Sequence, residues 1–124
     1  MMKLQEAIQE ARKRHPNTIK DDVTPEDFEA ATVWLKRYRP TRQAYTWPAQ
    51  DSDVIAHCVQ TYWEARFGIY REVSIPAAVV AAIALDFPTM TAPTHGRPHI
   101  GVEWEGVTRS FRGRRLRDKN APPL

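Results

Sequence analysis

The sequence has one cysteine, Cys58, among its 124 residues. A single cysteine excludes a disulfide within the chain, and the amino-terminal segment MMKLQEAIQEARKRH lacks the apolar stretch of a secretory signal peptide. These absences predict an intracellular, reducing location, and we expect the protein in the cytoplasm. The longest apolar run, Ile75 to Leu85, has about half of the roughly 20 residues that a membrane-spanning helix needs, so no membrane association is expected.

Recognisable catalytic motifs are also missing. The chain has no glycine-rich phosphate loop, dinucleotide fingerprint or serine elbow. His57 and Cys58 are adjacent, but neighbouring helical positions point about 100° apart and cannot face each other. His95 and His99 leave a metal-dependent or phosphoester enzyme as a third hypothesis, although zinc would need more converging ligands than this spacing offers. The sequence therefore predicts a non-enzymatic protein without a metal or cofactor.

Length and composition are those of one globular domain. Hydrophobic residues make up 42% of the chain and charged residues 27%, which is close to the average for folded proteins. A chain of this length can bury a substantial core. We predict a single compact domain over residues 1–111 and a basic, flexible tail over residues 112–124.

Four helices are predicted, at about residues 4–14, 24–38, 52–67 and 75–86. Thr24 and Ser74 are good N-caps, and Pro25 and Pro76 suit the first helical turn that follows each of them. The fourth helix is apolar on all sides, which places it at the centre of the fold. Two further inward stripes are expected, formed by Phe28, Ala31, Leu35 and Tyr38 in the second helix and by Ile55, Cys58, Val59 and Tyr62 in the third.

A β-hairpin is predicted after the helices. Residues 87–98 are rich in proline and threonine and indicate a loop, whereas residues 99–111 alternate and contain a possible two-residue turn at Glu105-Gly106. This register pairs Ile100 with Phe111. In this register one face of the hairpin points toward the helices. The residues of that face are Ile100, Val102, Trp104, Val107 and Phe111. The predicted fold is a small α+β domain of three to four helices, closed by a C-terminal hairpin and followed by a basic C-terminal tail.

Positive charge is concentrated at one end of the chain. The basic segment, residues 109–119, has six basic residues and one acidic residue, a net +5; since the whole chain is +3, the remainder is −2. Such asymmetry suggests a polyanionic partner, and arginine forks bind phosphate well. A solvated tail is the alternative. The candidate phosphate ligands are Arg109, Arg112, Arg114, Arg115, Arg117 and Lys119.

A second basic group lies in the stretch KRYRPTRQAYTW. It interleaves Arg37, Arg39 and Arg42 with aromatic residues, a composition that suits single-stranded nucleic acid. The alternative interpretation is a cationic helix end followed by a connector that Tyr45 and Trp47 pin to the body of the protein. Aromatic residues are also common anchors of protein interfaces, so both interpretations stay open.

The function predicted from these features is an accessory protein that binds nucleic acid or a nucleoprotein through the basic segment. Sequence readout is not expected, because the helix before the predicted hairpin offers no polar side chain from Ala77 to Leu85. The alternative is a small adaptor or inhibitor that docks on a larger complex through Tyr45, Trp47 and the His95–His99 loop, which contains Arg97. The preference for DNA or RNA and the oligomeric state stay open.

Overall fold

The computed structural model describes residues 1–41, 50–69, 72–92 and 96–103. It confirms a small α+β domain with four helices and an antiparallel strand pair toward the C-terminal end. The elements, in chain order, are α1 (Leu4–Arg14), α2 (Pro25–Leu35), β1 (Gln50–Asp51), α3 (Ser52–Phe67), α4 (Ile75–Ala84), β2 (Thr89–Thr91) and β3 (Pro98–Ile100).

Helix α4 is the centre of the domain, as its apolar composition predicts. Every residue from Ala77 to Ala84 is buried, and α1, α2 and α3 all contact this helix. Its many alanines are short enough to let the neighbouring helices approach closely. The predicted inward residues of α3 are buried, as are Ala31 and Leu35 of α2.

Local capping sets the helix ends. The Thr24 hydroxyl accepts a hydrogen bond from the Asp27 N–H at the start of α2, and the Ser74 hydroxyl does the same for Ala77 in α4. Gly68 follows α3 with a left-handed φ of 68°, where glycine costs least. Helix α1, which has no side-chain cap, and helix α3 begin and end at the predicted residues.

The other two helices are shorter than predicted. Helix α2 ends at Leu35, because Arg37 and Tyr38 donate to carbonyls only three residues back and form a tight turn. Helix α4 ends at Ala84, because Asp86 adopts a left-handed φ of 66°. Phe87 N–H then donates to the Ala82 carbonyl at 2.8 Å and Asp86 N–H to the Ile83 carbonyl at 3.1 Å. This is the Schellman pattern, with aspartate where glycine is usual.

The core of α2 contains a residue outside the predicted stripe. Trp34 is completely buried, whereas the predicted Phe28 and Tyr38 are only partly buried. The rings of Trp34 and Tyr38 pack with centroids 4.5 Å apart. Helix α2 therefore buries two adjacent sides, and a single apolar stripe underestimates its contribution to the core.

The strands form a small antiparallel sheet in the order β1-β3-β2. The central strand β3 pairs through Ile100 with Gln50 on one side and with Thr89 on the other. The prediction that residues 87–98 form only a loop is thus wrong, because Thr89–Thr91 is a strand. The predicted pairing of Ile100 with Phe111 is also wrong, since both edges of β3 are occupied at Ile100.

The inward face of the predicted hairpin is confirmed where it falls within the described residues. Ile100 and Val102 are completely buried. Between them, Gly101 lies close to other groups, because an added Cβ would force Thr41 Oγ1 to move and would touch the Pro88 ring. The rest of the predicted hairpin, including its turn at Glu105-Gly106, and the predicted tail lie outside the described residues.

No helix in the described part of the chain combines the length and the apolarity needed to cross a membrane.

Candidate nucleic-acid interface

The predicted binding residues divide into a described group and a group outside the described residues. Arg37, Arg39, Arg97 and His99 belong to the described part of the chain. The residues outside it are the whole basic segment (Arg109, Arg112, Arg114, Arg115, Arg117 and Lys119), together with Arg42, Tyr45, Trp47 and His95.

Arg37 leaves α2 in the turn after Leu35 and lies against α3. Its Nη1 donates to the Tyr62 hydroxyl at 3.0 Å, and its Cζ lies 4.9 Å from the centroid of the Tyr62 ring. A cation over an aromatic face contributes about 0.5–1 kcal/mol at an exposed site. Because Arg37 remains exposed at the surface, these contacts orient its guanidinium without burying it.

Arg39 follows in the same exposed turn. Its side chain is exposed, while its backbone carbonyl accepts a hydrogen bond from the Glu103 N–H at 3.0 Å. The backbone at this position is therefore fixed to the segment that follows β3. Arg37 and Arg39 together place two cations at the C-terminal end of α2.

Arg97 is part of an ion pair within the protein. Its Nε and Nη2 donate to both carboxylate oxygens of Asp51 at 2.9–3.2 Å. These hydrogen bonds to Asp51, together with the negative charge of the carboxylate, raise the pKa of Arg97. Asp51 also accepts from the Asp53 N–H at 2.9 Å as the N-cap of α3. The pair thus ties the residues before β3 to the start of α3 and compensates the charge of Arg97.

His99 lies in the central strand β3. Its register partners are Asp51 in β1 and Met90 in β2. Within the described ranges, no group of three or more His, Cys, Asp or Glu residues comes together in a way that could hold a metal ion.

The structure reveals an aromatic surface that sequence reasoning missed. We call it the α3 ledge and define it as Trp63, Phe67 and Ile69. Phe67 is 48% exposed and Ile69 58% exposed, and the Phe67 and Trp63 ring centroids lie 4.5 Å apart. The signal in the sequence was the spacing of Trp63 and Phe67, which puts two aromatic residues one turn apart and outside the inward stripe of α3.

A buried polar contact at His15 was also missed. His15 is only 4% exposed, and its Nδ1 and Nε2 each lie 2.9 Å from a hydroxyl, that of Thr91 and that of Thr89 respectively. Burial, and then the charge of Arg14, lower the pKa of His15. The imidazole therefore joins the end of α1 to the edge strand β2, while Cys58 is buried in the core as predicted.

Comparison with known proteins does not indicate the function, because no protein-family model, curated protein or solved structure matches this chain.

Proposed function

We propose that this chain is a non-enzymatic accessory protein that binds nucleic acid, or a nucleoprotein, through the basic segment and without sequence readout. The observation that carries the proposal is the segregation of charge: a net +5 over residues 109–119 on a remainder of net −2. Phosphate contacts supply most of the affinity of such proteins for nucleic acid, and guanidinium groups make those contacts in a bidentate manner.

Ion pairs elsewhere in the protein support the same assignment. Arg97 is paired with Asp51, Arg12 with Asp22 at 2.7 Å and Arg14 with Glu10 at 2.8 Å. These arginines already have local counter-charges. Within the basic segment, Asp118 is the one acidic residue beside six basic residues, and this excess of positive charge in the sequence is what would attract a polyanion.

A second, smaller contact is assigned to the turn after α2. Arg37 and Arg39 are exposed there, and Arg42 follows closely in the sequence. Readout of base edges is not part of the proposal, because α4 is buried and is not available to enter a groove. The expected binding is therefore electrostatic in character and similar for different sequences.

The test is fluorescence anisotropy with labelled single-stranded and duplex oligonucleotides over a series of salt concentrations. Six phosphate contacts on a duplex would give a slope of log affinity against log salt of about −5. Replacing Arg112, Arg114, Arg115 and Arg117 with alanine removes four of the six cations, and we expect the slope to fall to about −2.

A matched control separates the position of the charge from its amount. Alanine at Lys3, Arg12, Lys13 and Lys20 removes the same charge from exposed positions in the first part of the chain, and we expect it to leave the slope nearly unchanged. Equal effects of the two quadruple variants would assign binding to net charge alone. Absence of binding even at low salt would overturn the proposal, and the adaptor hypothesis would then be tested through Trp47→Ala.

A further inference from the structure

The α3 ledge is an unusual surface for a folded protein, since two large apolar side chains only two positions apart in the sequence are exposed. Phe67 and Ile69 are about half exposed, while most of the large apolar residues in the described part of the chain are buried or partly buried. Phe67 is the last residue of α3, and Ile69 follows immediately after Gly68. Adjacent exposed apolar side chains of this kind mark interaction sites more often than scattered ones do.

The aromatic part of the ledge is held in place from behind. Trp63 Nε1 donates to the Ala30 carbonyl of α2 at 3.2 Å, which fixes the indole between the two helices. The Phe67 ring packs on Trp63 with a tilt of 38° and meets Tyr62 edge-on, with centroids 6.3 Å apart. Phe67 is therefore a preorganised aromatic surface, because its contacts on the protein side are made before any ligand arrives.

Positive charge lies beside this surface. Arg37 covers Tyr62, whose ring in turn contacts Phe67, so cation and exposed ring are linked through one shared neighbour. Arg66 directly precedes Phe67 and is exposed, as is Lys36 next to Arg37. Glu64, one turn before Phe67, is the acidic residue on this part of α3. Arg37 is thus the cation that the contacts link to the exposed ring, and a cation beside an aromatic face favours a partner that combines negative charge with flat apolar groups.

We propose that the α3 ledge is a stacking platform for the bases of single-stranded nucleic acid, with Phe67 as the residue that contacts a base. Arg37 would lie along the phosphate next to that base. Exposed aromatic rings beside arginine are the feature by which proteins hold unpaired bases without reading their sequence. In a duplex the faces of the bases are already stacked on one another, so the platform would distinguish single strands from duplex. The inference rests on the proposed function and adds a class of ligand to it.

The experiment compares Phe67→Leu with Phe67→Trp in the full-length protein. Leucine keeps an apolar side chain at this position but has no aromatic face, whereas tryptophan keeps one. We expect Phe67→Leu to weaken binding of a labelled oligothymidylate by about 5-fold to 140-fold, the range for losing one stacked base. We expect Phe67→Trp to bind as the wild type does, with its fluorescence quenched by the bound strand.

Two further readouts separate stacking from charge and from misfolding. The slope of log affinity against log salt should be the same for wild type and Phe67→Leu, because stacking releases no counterions. Duplex binding should be unchanged in both variants. Met90→Leu is the matched control, since Met90 is also an exposed apolar residue, at 37%, but lies in β2; we expect no change in binding.

The results distinguish this inference from the function on which it rests. If Phe67→Leu binds the single strand as tightly as wild type, or loses single-strand and duplex binding equally, the platform is refuted, and the ledge is better explained as a protein-docking surface. In that case the proposed function still stands if the basic-segment variant loses binding. If Phe67→Leu loses binding while the basic-segment variant retains it, the platform stands and the role of the basic segment is refuted. If wild type binds no oligonucleotide, both are refuted.

Discussion

Replacing His15 with alanine should destabilise the protein by about 3 kcal/mol at neutral pH. The imidazole makes two hydrogen bonds of 2.9 Å, to Thr89 and to Thr91, each worth roughly 1 kcal/mol net. Its ring is buried, and the space it leaves adds about 1 kcal/mol or more. His15→Asn should lose less, because its amide can replace Nδ1 opposite Thr91 but cannot reach Thr89.

The same contact gives the protein a pH dependence of known sign. Burial, together with the charge of Arg14, lowers the pKa of His15 below its ordinary value of 6.5. The groups that face the ring from β2 are hydroxyls, which can accept hydrogen bonds from an imidazolium but do not offset its charge. Below about pH 6.5 the unfolded chain takes up a proton that the folded protein resists, so the free energy of unfolding falls as the pH falls. One group contributes at most about 1.4 kcal/mol per pH unit.

Urea unfolding of wild type, His15→Ala and His15→Asn at about pH 7.5, 6.5 and 5.5 measures both effects. Because neither variant has the buried imidazole, the difference in unfolding free energy between wild type and each variant should shrink as the pH falls. Subtracting the unfolding free energy of a variant from that of wild type also removes the contribution of the other histidines. A difference that stays constant or grows toward acidic pH would refute the reasoning, as would a loss below about 1 kcal/mol for His15→Ala.

Two further predictions follow from single residues in the core and at a helix end. Burial raises the pKa of the Cys58 thiol to about 12. A thiol-specific reagent should therefore not react with the native protein and should react fully in denaturant. Rapid reaction of the native protein would contradict the packing around α3. Asp86→Gly should raise the free energy of unfolding by about 0.5–1 kcal/mol, because glycine adopts the left-handed φ of 66° without strain. The free energy of unfolding of Asp86→Asn should lie between those of wild type and Asp86→Gly. A loss of stability in Asp86→Gly would contradict the prediction.

The helices were predictable because their signals are local. The N-caps Thr24 and Ser74 act within one turn of the chain, and each performs its predicted role. Two C-terminal ends were overestimated for a related reason. Asp86 in a left-handed conformation and the tight turn after Leu35 depend on which neighbours the chain meets next, and composition alone does not contain that information.

The sheet was less predictable because its partners are distant in sequence. β3 pairs with β1, about fifty residues earlier in the chain, and β1 is too short to show any alternation. Thr89–Thr91 lies in a stretch rich in proline, which favours a loop interpretation. Ile100 and Val102 were nevertheless placed correctly on the inward face, because alternation fixes which side of a strand is buried even when its partner is misidentified.

For the candidate site, the sequence predicted where charge accumulates but not which charges are already paired. Arg97 and Arg37 are the same type of residue, yet Arg97 binds both carboxylate oxygens of Asp51 and Arg37 lies over the ring of Tyr62. Partners of this kind are set by the packing of α2 against α3 and of β3 against β1. The same packing leaves Phe67 exposed. Its position outside the inward stripe of α3 indicated this, but an aromatic residue on a helix more often indicates the core.

The two proposed surfaces would contribute to binding in different ways, and this difference explains why a small protein would use both. Phosphate contacts made by the basic segment are sequence-independent, weaken steeply with salt and supply only about micromolar to sub-millimolar affinity at physiological salt. Stacking on Phe67 changes little with salt, and it requires an unpaired base. When both groups are on one chain, binding at the first site raises the effective concentration of the strand at the second. Preference for single strands should therefore be largest at high salt, where the electrostatic contribution is weakest.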